Sequence, residues 1–309
     1  MRRPIRIAWM VNSPHFVPHA QLLIESLRLT GGQGSSVPVL IMYPETEPEL
    51  AVRLRAAIGD LGIETAPYRL DTGEASFPFA DKVQAAATAE NLSEDYLNLI
   101  WMDNDAFFVQ PPDTLLLQPE TVFGCRPVDM ALIGSRADAS ADPFWQLLYR
   151  CLSVDATALP PMQTSVDKIT IRPYFNAGLL SIRPERKLLR SWRANFARLF
   201  RQDEFQLFYA QNRLYKIFIH QAVLAGTVLA LTEAGERQGF DHRVNYPLHL
   251  HHRYPENKKP ASLNELICCR YDTFFENKAW PEVIRMEEPL RSLITGYADR
   301  LGQEWRYES

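Results

Sequence analysis

The sequence predicts an α/β fold with a mixed, mainly parallel central sheet flanked by helices. Three observations carry that reading. β-like and helical segments alternate over the first hundred residues. An apolar run, Leu97 to Met102, ends in Asp103-Asn104-Asp105 and is followed by Ala106-Phe107-Phe108-Val109. A second apolar run, Tyr174 to Ile182, is interrupted by Asn176 and Gly178.

In order, Ile5 to Val11 reads as a first strand, and Ala20 to Leu29 as an amphipathic helix closed by Gly31-Gly32. Val37 to Met42 is β-like, Pro48 to Leu61 helical and Glu64 to Tyr68 β-like again. Asp81 to Leu92 is an Ala-rich helix leading into the Leu97 to Met102 strand. Such a βαβ rhythm places helices on both faces of a mainly parallel sheet, whose ligands bind beyond the carboxyl ends of its strands. Asp103 and Asp105 fall at such an end. Further on, Thr121 to Pro127 and Tyr174 to Ile182 read as strands. Pro143 to Cys151, Lys187 to Phe200 and Phe218 to Leu231 read as helices, and Ser153 to Asp167 as an irregular loop. No linker or repeat divides the chain. It reads as one domain, with a nucleotide-binding βαβ part over 1–110 and a second part with a helical extension over 111–309.

Composition narrows the class. With 309 residues, 46% hydrophobic and 23% charged, the chain can bury a substantial core. A formal charge of -4 gives no electrostatic case for nucleic acid as a partner. No stretch reads as long enough to span a bilayer, and the start, Met1-Arg2-Arg3-Pro4, lacks a signal peptide's apolar core. Cys125, Cys151, Cys268 and Cys269 lack zinc-ligand spacing and read as reduced core thiols. A cytoplasmic setting is the default, with peripheral association at the inner face of a membrane left open.

Two aspartates one residue apart on extended backbone point the same way and repel unless a positive charge lies between them. A hard divalent cation carrying a phosphorylated ligand suits them; a plain polar turn is the alternative. The turn after the first strand, Asn12-Ser13-Pro14-His15, has no glycine, and no glycine-rich phosphate loop occurs elsewhere. A dinucleotide-binding dehydrogenase is thereby disfavoured.

Four segments together resemble the nucleotide-sugar-dependent glycosyltransferases of the GT-A fold, most closely the family 8 type that includes glycogenin and bacterial galactosyltransferases. They are Ile7 to Leu27, Leu99 to Asp105, Tyr174 to Leu180 and His220-Gln221-Ala222-Val223-Leu224. The resemblance implies transfer of a sugar from a nucleotide-diphosphate donor, a UDP-sugar, with Mn2+ or Mg2+, to an acceptor that the residues do not name. It implies that Asp103 lies near ribose and sugar, and that Asp105 binds the metal. It also implies that Lys82 approaches the diphosphate and that Asn176, Gly178 and Gln221 line the sugar pocket, with Asn12 a further donor contact; Asn176, His220 and Gln221 are the candidate catalytic residues. Arg172 is a candidate phosphate contact or a surface arginine.

Two positions depart from the family pattern. His220 replaces an aspartate that would contact the sugar near the reaction centre, which leaves retention of configuration open. A late metal-binding histidine is missing from Leu266 to Asp272, which precedes Lys278-Ala279-Trp280. Asp272 is its nearest replacement by chemistry, with His249, His251 and His252 as competitors; alternation on an extended segment would put His249 and His251 on one face. A nucleotidyltransferase and a non-catalytic sugar- or nucleotide-binding relative are the alternative functions.

Overall fold

The computed structural model describes residues 2–32, 36–59, 61–71, 73–75 and 77–302. Its first part runs β1 (Arg3–Met10), α1 (Val17–Leu29), β2 (Val39–Pro44), α2 (Glu49–Ile58), β3 (Ile63–Tyr68), α3 (Ala80–Asn91) and β4 (Tyr96–Met102). There follow β5 (Ala106–Phe108), β6 (Phe123–Cys125), α4 (Pro143–Leu152), β7 (Met162–Gln163), β8 (Thr170–Ile171) and β9 (Leu179–Ile182). The remainder is α5 (Leu188–Leu199), α6 (Asp203–Gln211), α7 (Arg213–Leu231), β10 (Arg237–Gly239), β11 (Tyr246–Pro247), β12 (Cys268–Arg270), α8 (Trp280–Val283) and α9 (Leu290–Leu301).

The central sheet has the order β10-β6-β9-β4-β1-β2-β3. Its pairs are parallel except at β9, which runs antiparallel to both β4 and β6. Alternation along β4 explains the continuous apolar run. Leu99 and Trp101 enter a core formed with α3, α4, α5 and α7, while Ile100 and Met102 enter the opposite core with α1 and α2. A strand buried on both faces has no polar side to show. A second sheet, β11-β12-β5, carries a third core, which α9 closes.

Three expectations need correction. The Tyr174 to Ile182 strand shrinks to β9, because Asn176 Oδ1 accepts from the Gly178 amide at 2.7 Å and turns the chain before the ladder begins. The Ser153 to Asp167 loop contains β7, which pairs with β8 in a short hairpin. The third concerns length: α7 has 19 residues and a mean hydropathy of 1.5, enough to cross a membrane by length and composition. Its apolar character has another cause here. The segment from Ile219 to Val228 is buried except for the half-buried Gln221, and the helix packs on α4, α5 and α6. All four cysteines are free thiols, with Cys151 only half-buried.

Candidate active site

The antiparallel entry of β9 builds the site. Its first residues lie at the carboxyl end of β4, so Asn176 to Gly178 meet the aspartate turn. The Asp103 amide donates to Gly178 O at 2.9 Å. Asn104 Nδ2 donates to Met10 O at 3.1 Å, at the end of β1. The Tyr271 amide, just after β12, donates to Asp105 O at 2.9 Å. The turn is thus tied to strand ends in both sheets.

The two aspartates do not share an extended strand, contrary to expectation. They flank a bend between β4 and β5, which belong to different sheets. Their charges nevertheless act on each other. Burial, then repulsion from Asp103, pushes the Asp105 carboxyl up to about 7; Asp272 adds to this, and Arg270 and Lys82 oppose it.

Lys82, only 5% exposed, places Nζ 2.6 and 2.9 Å from the two Asp103 carboxylate oxygens. It sits in the first turn of α3, entered through Phe79 in the left-handed region at φ +61°. The Phe79 ring stacks on His220 at 4.4 Å and lies 5.6 Å beneath the Lys82 ammonium. Asn12 Nδ2 donates to Asp81, whose other carboxylate oxygen accepts from the Lys82 amide. Asn12 therefore secures the turn that presents Lys82.

His220 is 3% exposed, with Nδ1 2.9 Å from Ile217 O. Burial, reinforced by the Lys82 charge, lowers its pKa to about 3, so the ring is neutral at physiological pH. Gln221 Oε1 accepts from the Ala177 amide at 3.0 Å. A Cβ added to Gly178 would lie 2.9 Å from both Asp103 Oδ2 and Asn176 Oδ1. Glycine is required here by close approach, since its φ is ordinary.

Residues absent from the sequence reading complete the floor. Asp129 Oδ2 accepts from Arg270 Nη2 at 2.8 Å and lies 3.4 Å from Asn176 Nδ2. Arg126 is buried, donating to Val244 O, Asn245 O, Ser165 Oγ and Tyr254 Oη. Arg126 and Arg270 each end a short apolar strand, the same signal that marked Asp103. Arg172 instead ties down residues 135–139 through Ser135 Oγ and the carbonyls of Arg136 and Ala139.

The late histidines do not alternate, because Leu248–Arg253 is a 3-10 helix. His249 Nε2 lies 3.8 Å from Asp272 Oδ2, and its buried Nδ1 has no partner. His251 Nδ1 pairs with Tyr246 Oη at 3.0 Å, and His252 is exposed. Asp272 is left-handed at φ +43° and about half exposed. Among the described residues, no three His, Cys, Asp or Glu side chains form a ready cation cage. Asp103, Asp105 and Asp272 are the expected cation ligands, and Asp103 also carries the ion pair with Lys82. By donor chemistry, Asp105 and Asp272 still suit a hard divalent cation. Asp105 is raised by burial first and then by carboxylate repulsion, the second of which a cation would relieve.

A family model described as the Rhodobacterales glycosyltransferase domain matches residues 7–231. The chain belongs to that family. It is a glycosyltransferase, and its α/β sheet is of the mixed, mainly parallel kind expected of one. No curated protein matches it in sequence. Among solved structures, mouse xyloside xylosyltransferase 1 is 11% identical with a TM-score of 0.49, covering 88% of this chain and 98% of that one. Galactosyltransferase LgtC, solved with donor and acceptor sugar analogs, is 13% identical with a TM-score of 0.48 and 97% coverage of both chains. GlyE of Streptococcus pneumoniae TIGR4 is 9% identical with a TM-score of 0.49, covering 99% of this chain and 66% of that one.

Proposed function

We propose that this glycosyltransferase takes its sugar from a UDP-sugar, bound at the aspartate turn with Mn2+ or Mg2+. The observation that carries the reading is Asp103, held between Lys82 and the bare backbone of Gly178 at the carboxyl end of the sheet. A carboxylate oriented by a buried ammonium is a fixed acceptor for sugar or ribose hydroxyls. Gly178, lacking a Cβ, lets the Asp103 and Asn176 side chains close over it.

Asp105 and Asp272 would hold the cation, with His249 beside them; when bound, it neutralises charge on the departing diphosphate. Asn176 and Gln221 form the wall facing the sugar, each fixed by a backbone amide. His220 contributes as a neutral ring that supports Phe79 and Lys82. With Nδ1 committed to Ile217 O and its pKa near 3, it does not carry a proton for catalysis.

Titration calorimetry with UDP tests the donor and the metal together. Tighter binding with Mn2+ than in EDTA is expected, with that difference lost in Asp105→Ala. Equal binding in both buffers, unchanged by the substitution, would refute the metal reading. UDP release across a panel of UDP-sugars then identifies the donor.

A further inference from the structure

The carboxylates of this site are met by cations of the chain itself, and one of those cations is incompletely used. Lys82 spends its ammonium on Asp103. Arg126 spends both terminal nitrogens on backbone and hydroxyl groups. Arg270 differs. Its position opposite Ala106 in the β12–β5 ladder sets it beside Asp105. Its one side-chain hydrogen bond among the described residues is Nη2 to Asp129. Its Nε is buried without any partner, while 17% of the side-chain surface reaches solvent.

A buried guanidinium N–H without an acceptor costs on the order of 1–3 kcal/mol. An arginine offers five donors in a planar fork that matches two phosphate oxygens at once. We propose that Arg270 is a donor-binding residue that grips the diphosphate of the nucleotide directly, so that the site holds a nucleoside diphosphate even without a divalent cation. The inference rests on the nucleotide-sugar reading above and adds to it a second, protein-borne source of positive charge. Asp129 then acts as the positioning residue. It holds Nη2 and leaves Nη1, which makes no hydrogen bond among the described residues and is not buried, for phosphate.

Titration of the full chain with UDP and with uridine, in excess EDTA and separately in Mn2+, tests this. In EDTA the wild type is expected to bind UDP about tenfold or more tightly than uridine, because only UDP meets the guanidinium. Arg270→Gln should reduce that ratio to about one with uridine affinity unchanged, and Arg270→Lys, which keeps charge but loses the fork, should fall between. Equal binding of UDP and uridine by the wild type in EDTA overturns the proposal. So does a ratio that Arg270→Gln leaves intact, or a loss shared equally by both ligands in the glutamine and lysine variants, which marks a structural arginine. If neither compound binds in either buffer, the nucleotide-sugar reading falls as well. If Mn2+ fails to tighten UDP, the metal reading alone falls, and the ratio in EDTA still decides the role of Arg270.

Discussion

Gly178 and Lys82 are the two positions where a single side chain decides the site. A methyl at Gly178 would press on Asp103 and Asn176 at 2.9 Å. Gly178→Ala is therefore expected to lower kcat/KM by about tenfold or more, as one displaced carboxylate commonly does. Steady-state kinetics should show the loss, with a thermal midpoint only a few degrees lower; unchanged kinetics would remove Gly178 from the donor site. Lys82→Met leaves Asp103 unpaired yet about a quarter exposed, so water can solvate it. The expected result is roughly a 100-fold loss in kcat/KM, on the scale of removing one preorganised electrostatic group, with little change in stability. Full activity in this variant would show that the Lys82–Asp103 pair is structural.

Elements show how the same sequence signal can have two causes. The helix α7 passes as a membrane span by composition, yet its central residues are buried among other helices. Leu224 is fully buried and Leu231 is 45% exposed. Leu224→Ala should cost about 2–5 kcal/mol in urea unfolding, and Leu231→Ser should stay within about 0.5 kcal/mol. Similar small effects at both positions would deny α7 its place in the core. The early strands and helices were legible because each has a strong period or a two-faced apolar run, and their bounds shift by only a few residues. The segment around His249 was not legible. Six residues with three histidines carry too little periodicity to separate a 3-10 turn from a strand. Tyr174 to Gly178 misled for another reason: its residues are apolar enough for a strand, but the Asn176 side chain captures the Gly178 amide. The Asp103 turn was readable as a local motif. Asp129 and Arg270 were not, because they meet across 141 residues and neither position marks the other.

Among the described residues, His19, His220 and His249 are the histidines that resist protonation most. Burial lowers His19 and His249 to about 4 and His220 to about 3. Each titrates near 6.5 in the unfolded chain. Between these values the unfolded state binds more protons than the folded one, so stability rises with pH there and is lost as pH falls below about 6.5. Each histidine contributes at most about 1.4 kcal/mol per pH unit in that interval. Asp105, raised to about 7, acts in the opposite sense, favouring the folded state as pH falls from 7 toward 3.8. His15, His242 and His251 are lowered by burial as well, while burial raises Glu90 and Asp142 alongside Asp105; the histidines outnumber these carboxyls, which gives a net expectation of lower stability at pH 4.5 than at 6.5. Urea unfolding at the two pH values measures it, and His220→Gln should flatten the slope. A slope of the reverse sign would mean that the buried carboxyls dominate.

The reversed direction of β9 has a consequence for how the chain matures. Because that strand returns against β4, Gly178 meets Asp103, and the proposed donor pocket draws also on Asn12, Lys82 and Arg270, far apart in the sequence. No fragment ending before β12 contains the whole set. Pairings of such long sequence separation form late, since the intervening chain must be closed first. Ligand binding is thus a report on the last step of assembly. A nucleotide that binds only the finished pocket stabilises the entire fold in proportion to its concentration over Kd. During synthesis, the proposed pocket can be complete only after β12 has emerged and docked on β5.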